Sequence, residues 1–351
     1  MVTTMLNKFP HKTQLIFKKK WIKAADIPGK PLVIYDSYFD GKKNEVSKWL
    51  SLFPHKYSVP AGEKLKSLTE FPTHMENILK LVDKINSKDI TIVAVGGGSV
   101  GDFAGFVASI LKRGVRFVQI PSTWLAAIDS AHGGKTALNV SGYKNQVGTF
   151  YPAEQVILMQ TLLSNQPADR LADSFSESLK IALIQGGSLW KKFSKLKKWD
   201  ENTLWRLLPD LIKAKYRVVN LDPYEKKGVR HILNLGHTMG HVWEATQGLS
   251  HGQAVLYGLR FALDLSMYSK TMKAKEFQKL MGLKIMSLLP TPAQLRSVIL
   301  KTNNEDQYLR QDKKLTKDGK VRFVLIKKPG LTPIKEVPIE QLVQILEQIK
   351  N

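Results

Sequence analysis

Gly96, Gly98 and Gly101 form a glycine-rich turn between an apolar run, residues 89–95, and the helical pattern of residues 100–111. Glycine at such a turn lets the backbone approach a pyrophosphate closely. The free N–H groups of the following helix N-terminus can then hold the anion. Because the same spacing also occurs in turns that bind nothing, a purely structural role is the alternative.

The acidic residue that usually follows such a turn by about 20 positions, and holds a ribose, is missing. Acidic candidates precede the turn instead. They are Asp36, at the end of an earlier apolar run, and Glu63 within residues 60–67. The sequence therefore departs from the usual Rossmann arrangement but keeps the features of a pyrophosphate site. A second polar segment, residues 129–136, carries Lys135 directly after two glycines, in a part of the chain that otherwise has the composition of a buried segment. A lysine in such a setting is typical of a phosphate-binding site.

Three histidines and one glutamate are candidate metal ligands. His237 and His241 are four residues apart, so both side chains lie on one face of a helix. His251 begins the next helical pattern, and Glu177 offers a carboxylate. The chain has no cysteine, and a catalytic divalent site needs about three protein ligands and an open position. The alternatives are core or capping roles for the histidines and a capping box over residues 174–177.

The elements that must position these residues are predicted from apolar patterns. Short β-branched runs at residues 31–36, 89–95 and 115–120 alternate with helical patterns at residues 74–86 and 100–111. Nearly continuous apolar runs are typical of strands buried on both faces of a parallel sheet. Alternation of such strands with helices indicates an α/β fold.

Helical periodicity dominates from about residue 165 onward. The helical patterns cover residues 168–186, 203–221, 231–246, 252–268 and 275–288, with a late strand at 321–326 and a final helix at 339–349. The sequence therefore predicts an N-terminal Rossmann-like α/β domain, residues 1–166, and a mostly α-helical C-terminal domain, residues 167–351. A cleft between two domains is the default place for an active site.

The composition narrows the classes of partner. The formal charge is +23 and the pI about 9.8, but the lysines are scattered and no aromatic residues interleave with them as a stacking platform requires. A solvated face is the interpretation we adopt for these lysines. The alternative is a protein without enzymatic activity, either a basic nucleic-acid-binding protein or a decayed enzyme kept for a partner. No signal peptide is recognised, and no run approaches the roughly 20 apolar residues of a membrane helix. We therefore expect a cytoplasmic protein without a nucleic-acid or membrane partner.

The order and spacing of these motifs resemble the 3-dehydroquinate synthases, a family of the sugar-phosphate cyclase superfamily. The matching segments are residues 60–67, 96–102, 113–114, 121–123, 129–135, 144–145, 177–180, 230, 234–241, 251–252 and 312–314. The resemblance implies an NAD- and zinc-dependent lyase, with Co²⁺ as a possible substitute metal. Its sugar-phosphate substrate is 3-deoxy-D-arabino-heptulosonate 7-phosphate, and its products are 3-dehydroquinate and phosphate. The implied steps are hydride transfer to NAD, phosphate elimination, return of the hydride and intramolecular aldol closure, within the shikimate pathway of aromatic amino acid biosynthesis.

The resemblance also implies roles for individual residues. The implied zinc ligands are Glu177, His237 and His251. The implied NAD contacts are Asp36, Glu63, Lys66, Gly97, Gly98, Asp102, Ser122, Thr123, Lys135 and Lys144. The implied substrate-binding and catalytic residues are Asp129, Lys135, Lys144, Asn145, Lys180, Lys215, Arg230, Asn234, His241 and Lys313. Arg113 resembles an arginine that reaches the phosphate of the neighbouring subunit's substrate, which implies a homodimer.

The sequence departs from the family pattern at several positions. Met159 lies in a run that lacks the usual aspartates, Ile181 follows Lys180 where tyrosine is common, and Gln253 replaces a glutamate expected to tune zinc affinity. His132 stands where a small or aliphatic residue is usual.

Two alternative activities stay open. One is another sugar-phosphate cyclase, acting on sedoheptulose 7-phosphate, glucose 6-phosphate or an amino analogue. The other is a metal-dependent polyol dehydrogenase.

Overall fold

The computed structural model describes residues 3–5, 12–41, 44–302, 305–310 and 318–350. The strands are β1 (Thr3–Met5), β2 (Gln14–Lys18), β3 (Lys30–Asp36), β4 (Lys56–Val59), β5 (Ile90–Gly96), β6 (Arg116–Pro121), β7 (Lys135–Val140), β8 (Tyr143–Phe150), β9 (Gln155–Met159), β10 (Lys320–Val324) and β11 (Ile334–Pro338). The helices are α1 (Glu45–Leu50), α2 (Phe71–Ile85), α3 (Gly98–Ile110), α4 (Gln160–Leu163), α5 (Ala168–Gln185), α6 (Gly187–Phe193), α7 (Glu201–Leu221), α8 (His237–Gln247), α9 (His251–Tyr268), α10 (Ala274–Met281), α11 (Pro292–Leu300), α12 (Glu305–Arg310) and α13 (Ile339–Lys350).

Contacts within the chain divide it into two compact units. The first unit comprises residues 1–170 together with Lys215–Tyr224, and the second comprises Leu171–Ala214 and Glu225–Asn351. The last turns of α7 thus belong to the first unit. No helix in the described part of the chain combines the length and apolar character needed to cross a membrane.

The first unit is built on a seven-stranded sheet in the order β1-β2-β9-β6-β5-β3-β4. Only β1 pairs antiparallel to its neighbour; the other pairings are parallel. All seven residues of β5 are buried, as expected for a central strand covered on both faces. The predicted strands at 31–36, 89–95 and 115–120 correspond to β3, β5 and β6, so the α/β prediction is confirmed.

The antiparallel hairpin of β7 and β8 is an element that the apolar patterns did not predict. Its second strand is polar and glycine-containing, and residues 143–148 are all exposed. A strand that buries neither face has no alternation of apolar residues to reveal it. Its position therefore depends on contacts with the rest of the unit rather than on local pattern.

The second unit is mainly helical, with the β10–β11 hairpin as its sheet. The single helix predicted over residues 231–246 is wrong. A 3₁₀ turn, Val229–Asn234, is followed by Gly236 in the left-handed region at φ 81°, and α8 begins at His237. The single helix predicted over 275–288 is also divided, because α10 ends at Met281 and a separate 3₁₀ turn covers Lys284–Leu288.

His132 lies in the core of the first unit and is expected to make stability depend on pH. Its Nε2 is 2.8 Å from the carbonyl oxygen of Ala127, its ring packs on Tyr216, and its Nδ1 has no hydrogen-bond partner among the described residues. Burial lowers the pKa of His132 from 6.5 to about 3, and the charge of Lys215 adds to this shift. The residue is thus held neutral in the folded state.

His132 binds a proton more tightly in the unfolded chain than in the folded chain. The stability that neutral His132 contributes is therefore complete above pH 6.5 and is lost as the pH falls toward 3. Between pH 7 and pH 5 the expected loss is about 2 kcal/mol. Urea unfolding at both pH values should show this loss in the wild type and a smaller one in His132→Leu. Parallel pH dependence of the two proteins would contradict the prediction.

Candidate active site

The carboxyl ends of three adjacent parallel strands bring several predicted cofactor residues to one edge of the sheet. Asp36 ends β3, Gly96 ends β5, and Ser122 follows β6 directly. The register aligns Gly96 with Pro121, and the Ser122 N–H donates to the Gly96 carbonyl oxygen over 2.9 Å. Ligands of open α/β sheets bind at such an edge.

The glycines of the turn have a packing role as well as a possible binding role. A Cβ on Gly96 would lie 2.5 Å from Cβ of Val100, and one on Gly98 would lie 3.1 Å from Oγ of Ser130. Gly97 precedes the first residue of α3 in extended conformation, and the first N–H groups of that helix are the anion-binding groups expected there. The structural and functional interpretations of the turn are therefore compatible.

Lys66 and Asp102 form a largely buried ion pair beside this turn. The Lys66 side chain is 4% exposed, and its Nζ lies 2.7 Å from Oδ2 of Asp102. Burial raises the pKa of Asp102, while the charge of Lys66 opposes the shift. Glu63 is exposed one turn earlier and accepts a hydrogen bond from Asn139. Thr123, another predicted cofactor residue, lies next to Ser122.

Asp129 and Lys215, predicted to bind the substrate, are in direct contact. A π-helical turn, Ala126–Ser130, carries Asp129, and Lys215 comes from the part of α7 that belongs to the same unit. The Lys215 Nζ lies 2.7 Å from Oδ1 of Asp129 and also contacts its carbonyl oxygen. Lys215 is 5% exposed. The Asp129 carboxylate therefore holds the Lys215 ammonium group inside the protein, whereas lysine side chains normally extend this charged group into water.

The β7–β8 hairpin carries three more predicted residues. Lys135 begins β7, and Lys144 and Asn145 lie near the start of β8; all three are exposed. Elsewhere in the unit, Arg113 is exposed with a left-handed φ of 68°. This conformation is costly for a residue with a Cβ.

In the second unit, the predicted metal ligands come together. Glu177 is 1% exposed in α5, and His237 and His251 are the first residues of α8 and α9. The Nε2 atoms of His237 and His251 lie 3.2 Å and 3.6 Å from Oε1 of Glu177. The three residues can offer ligand atoms that all lie within 4.8 Å of one another. Because Glu177 is in the middle of α5, the capping box over residues 174–177 is excluded.

Close helix packing through glycines produces this convergence. A Cβ on Gly258 of α9 would lie 1.8 Å from the carbonyl oxygen of Gly236, which immediately precedes α8. A Cβ on Gly252 would lie 2.4 Å from Cα of Asp173, one helical turn before Glu177. Gly236 and Gly252 stand beside the candidate histidines in the sequence, whereas the packing role of Gly258 depends on neighbours distant in the chain and has no local sequence signal.

The hydrogen bonds behind the imidazoles orient them toward the carboxylate. Nδ1 of His237 is 3.2 Å from the Leu235 carbonyl oxygen, and Nδ1 of His251 is 3.1 Å from Oε2 of Glu244. When each Nδ1 carries a proton that it donates to these acceptors, both Nε2 atoms present lone pairs to Glu177. A cation satisfies three such acceptors at once, so the donor set fits a divalent metal.

The charges around Glu177 favour its ionised form. The side chain is buried, which raises its pKa, but Lys180 and His237 lower the pKa well below its usual value. Lys180 is itself buried, and its Nζ contacts Oε2. Even so, neither carboxylate oxygen accepts a well-aligned hydrogen bond among the described residues. A buried carboxylate with close but poorly aligned neighbours is suited to a metal ion.

Glu244 is a residue that the sequence analysis missed. Burial lowers the pKa of His251, but the nearby carboxylates of Glu177 and Glu244 raise the pKa to about 10, so a metal bound at Nε2 would displace a proton from this ring. His241, Glu244 and His251 form a second, more exposed group whose ligand atoms lie close together. The spacing of His237, His241 and Glu244, at i, i+4 and i+7, was the available signal for a shared helix face.

The remaining predicted positions have varied surroundings. Arg230 is buried and Asn234 partly buried on the 3₁₀ turn before α8, whereas Lys313 lies outside the described residues. Gln253 is exposed and completes a capping box with Ser250. It therefore has a local role in starting α9.

Solved structures that share this fold include two synthases. A 2-deoxy-scyllo-inosose synthase, complexed with carbaglucose-6-phosphate, NAD⁺ and Co²⁺, matches with a TM-score of 0.79 at 22% identity, over 99% of this chain and 100% of that one. The 2-epi-5-epi-valiolone synthase ValA of Streptomyces hygroscopicus subsp. jinggangensis 5008, with NAD⁺ and Zn²⁺ bound, matches with a TM-score of 0.71 at 19% identity over 99% of each chain. The chain therefore has the fold of these cyclases.

Sequence relationships specify the family within that fold. The family models for the N-terminal and C-terminal parts of 3-dehydroquinate synthase match residues 56–173 and 174–315. The chain belongs to the 3-dehydroquinate synthase family. It is 38% identical over 315 residues to the 3-dehydroquinate synthase of Leptospira interrogans serovar copenhageni, covering 87% of this chain and 82% of that protein. It is 33% identical over 290 residues to the bifunctional shikimate kinase/3-dehydroquinate synthase of Thermotoga maritima, covering 82% of this chain but only 57% of that longer protein.

Proposed function

We propose that this protein is a 3-dehydroquinate synthase that converts 3-deoxy-D-arabino-heptulosonate 7-phosphate to 3-dehydroquinate and phosphate. The observation that carries the proposal is the convergence of Glu177, His237 and His251, from three helices, on one small volume. Family membership indicates the reaction. The ligand atoms of the three residues form a site for the metal that the resemblance implies.

The two parts of the chain take different roles in this proposal. Residues 1–166 bind NAD at the sheet edge that carries Asp36, Gly97, Gly98, Ser122 and Thr123. Residues 167–351 bind the metal and contribute substrate contacts. The active site in a cleft between the domains stays a prediction.

The proposed cofactors are NAD and Zn²⁺, with Co²⁺ as a substitute. When bound, they supply hydride acceptance and return, and polarisation of a substrate hydroxyl. Glu177, His237 and His251 would hold the metal. Lys180 balances the charge of Glu177, and Glu244 fixes the orientation of His251.

The other proposed substrate residues are mainly cations and hydrogen-bond donors suited to a phosphate dianion and hydroxyl groups. They are Asp129, Lys135, Lys144, Asn145, Lys180, Lys215, Arg230, Asn234, His241 and Lys313. Lys215 is held in place by Asp129. His241 is exposed one turn after His237, which suits a proton-relay or phosphate-binding role. Lys144 and Lys135 are also proposed NAD contacts, with Glu63, Lys66 and Asp102.

The test is release of phosphate from the heptulosonate phosphate by zinc-loaded protein. We expect turnover that a chelator abolishes and Zn²⁺ or Co²⁺ restores, with no net accumulation of NADH because the hydride returns to the product. A panel with sedoheptulose 7-phosphate, glucose 6-phosphate and glycerol separates the alternatives. Turnover of another sugar phosphate, net NADH formation from the polyol, or no phosphate release would each overturn the proposal.

We further propose a homodimer in the cytoplasm, without a nucleic-acid partner. The exposed Arg113, displayed by a left-handed backbone, is suited to reach the substrate phosphate of a neighbouring subunit. Sedimentation should give twice the mass of the 39.6 kDa chain. In mixed dimers of Arg113→Ala and Glu177→Gln subunits, one of the two sites should regain both residues and part of the activity. A monomer, or no such complementation, would contradict this part of the proposal.

Replacement of Glu244 by glutamine is expected to weaken metal binding about 10- to 100-fold while leaving the fold intact. The glutamine can still meet His251 Nδ1, but it loses the negative charge that strengthens the imidazole as a ligand. Competition with a chromophoric chelator measures the zinc affinity. The exposed Glu347→Gln serves as a control on the same unit, and equal affinities of the two variants would refute this role for Glu244.

A further inference from the structure

Asn139, near the end of β7, connects two segments that the proposed function assigns to different ligands. Its Nδ2 donates to Oε2 of Glu63 over 2.7 Å, and its Oδ1 accepts from the Asn145 backbone N–H over 2.8 Å. Glu63 is a proposed NAD contact and Asn145 a proposed substrate contact. The backbone of Asn139 is also fixed, because its carbonyl oxygen accepts from the Leu68 N–H over 2.9 Å.

A second route closes these contacts into a ring. The buried Lys66 lies on the same 3₁₀ turn as Glu63, and its Nζ contacts both Oδ1 of Asn145 and Oδ2 of Asp102. The backbone and side chain of Asn145 are therefore held by Asn139 and Lys66 respectively. Asn145 has a left-handed φ of 56°, a conformation that persists only when surrounding contacts determine it.

The ring matters because this exposed part of the hairpin is held by polar contacts and by its pairing with β7. Residues 143–148 are all exposed, so apolar packing contributes little to the position of Lys144 and Asn145. Polar contacts must then determine it. Asn139 is the side chain that reaches from β7 to both the Asn145 backbone and the Glu63 turn.

The chemistry requires an amide at position 139. A carboxylate at Glu63 needs a donor, and a backbone N–H at Asn145 needs an acceptor; a side-chain amide supplies both. One orientation of the amide satisfies both partners, with Oδ1 toward Asn145 and Nδ2 toward Glu63. Aspartate would keep the acceptor but repel Glu63, and alanine would remove both contacts.

We propose that Asn139 is a positioning residue that couples the cofactor-binding turn at Glu63 to the substrate-binding hairpin at Asn145. This inference rests on the proposed function for the identity of the two ligands. The coupling itself depends only on the contacts between the two segments. Asn139 touches neither ligand in this scheme and acts through Glu63 and Asn145.

The first experiment measures the hairpin and the ligands separately. In Asn139→Ala, we expect faster amide hydrogen exchange in residues 143–148, NAD affinity at least about tenfold weaker by tryptophan fluorescence, and a substrate KM raised by a similar factor. Asn165→Ala, which removes an exposed asparagine of the same unit, should change none of these. Unaltered hairpin exchange in Asn139→Ala would overturn the proposal.

A swap of donor and acceptor gives the sharper test. Asn139→Asp should weaken NAD binding in the wild-type background, where it faces Glu63, but strengthen it in a Glu63→Gln background, where the glutamine amide can donate to the new carboxylate. An effect of the same sign and size in both backgrounds would overturn the coupling. Hydrogen exchange and NAD titration need no turnover, so a wild-type protein that releases no phosphate would refute the proposed function without deciding the role of Asn139.

Discussion

Replacement of Glu177 by glutamine is expected to lower phosphate-releasing turnover at least about a thousandfold and to eliminate stoichiometric zinc. The carboxylate is the proposed charged ligand of the metal, and a neutral amide binds a divalent ion weakly. The substitution also leaves Lys180 buried beside an uncharged group. Loss of one partner of a buried ion pair costs on the order of 3–5 kcal/mol, so the free energy of unfolding should fall as well.

A second variant separates loss of the metal site from loss of stability. In Glu177→Gln/Lys180→Met, the buried charge is removed together with its partner, so stability should recover while metal binding and activity stay lost. Metal content by plasma emission spectrometry, urea unfolding and the phosphate assay measure the three quantities. Retention of one zinc per chain in Glu177→Gln would refute the assignment of Glu177 as a ligand.

Replacement of Gly258 by alanine is expected to destabilise the second unit by about 3 kcal/mol or more and to weaken zinc binding in the protein that still folds. The added Cβ would meet the Gly236 carbonyl oxygen at 1.8 Å, and this atom belongs to rigid backbone. Overpacking of this kind forces the elements apart. Separation of α8 from α9 would move His237 away from His251, because each histidine is the first residue of its helix.

Gly282→Ala is the matched control for this prediction. Gly282 has an ordinary φ of −73° and its Cβ would approach the Gln278 carbonyl oxygen only to 3.2 Å. We expect its unfolding free energy to stay within about 1 kcal/mol of the wild type. Urea unfolding and chelator competition measure both proteins, and equal stability of Gly258→Ala and Gly282→Ala would contradict the close-packing explanation.

Where the apolar pattern was strong, the sequence was sufficient to predict strands and fold class. The buried runs of β3, β5 and β6 are continuous and β-branched, and the glycine turn follows β5 directly, so the α/β class and the sheet edge were predictable. The helix predicted over residues 231–246 was wrong because periodicity continues through Gly236, while the left-handed backbone there ends the turn and starts a new helix at His237. Local hydrophobic pattern does not report such a break.

The buried strands, the order of the motifs and the chemical types available to a site are therefore encoded locally in the amino-acid sequence. The folded chain shows which of those groups share a volume: the Glu177 carboxylate with two imidazoles, as the family resemblance implied, and in addition Glu244 behind His251 and Asn139 between Glu63 and Asn145. The physical reason is that strand and helix formation depend on periodicities of a few residues. Side-chain convergence depends on backbone approach between elements far apart in the chain, here made possible by Gly258 and Gly252.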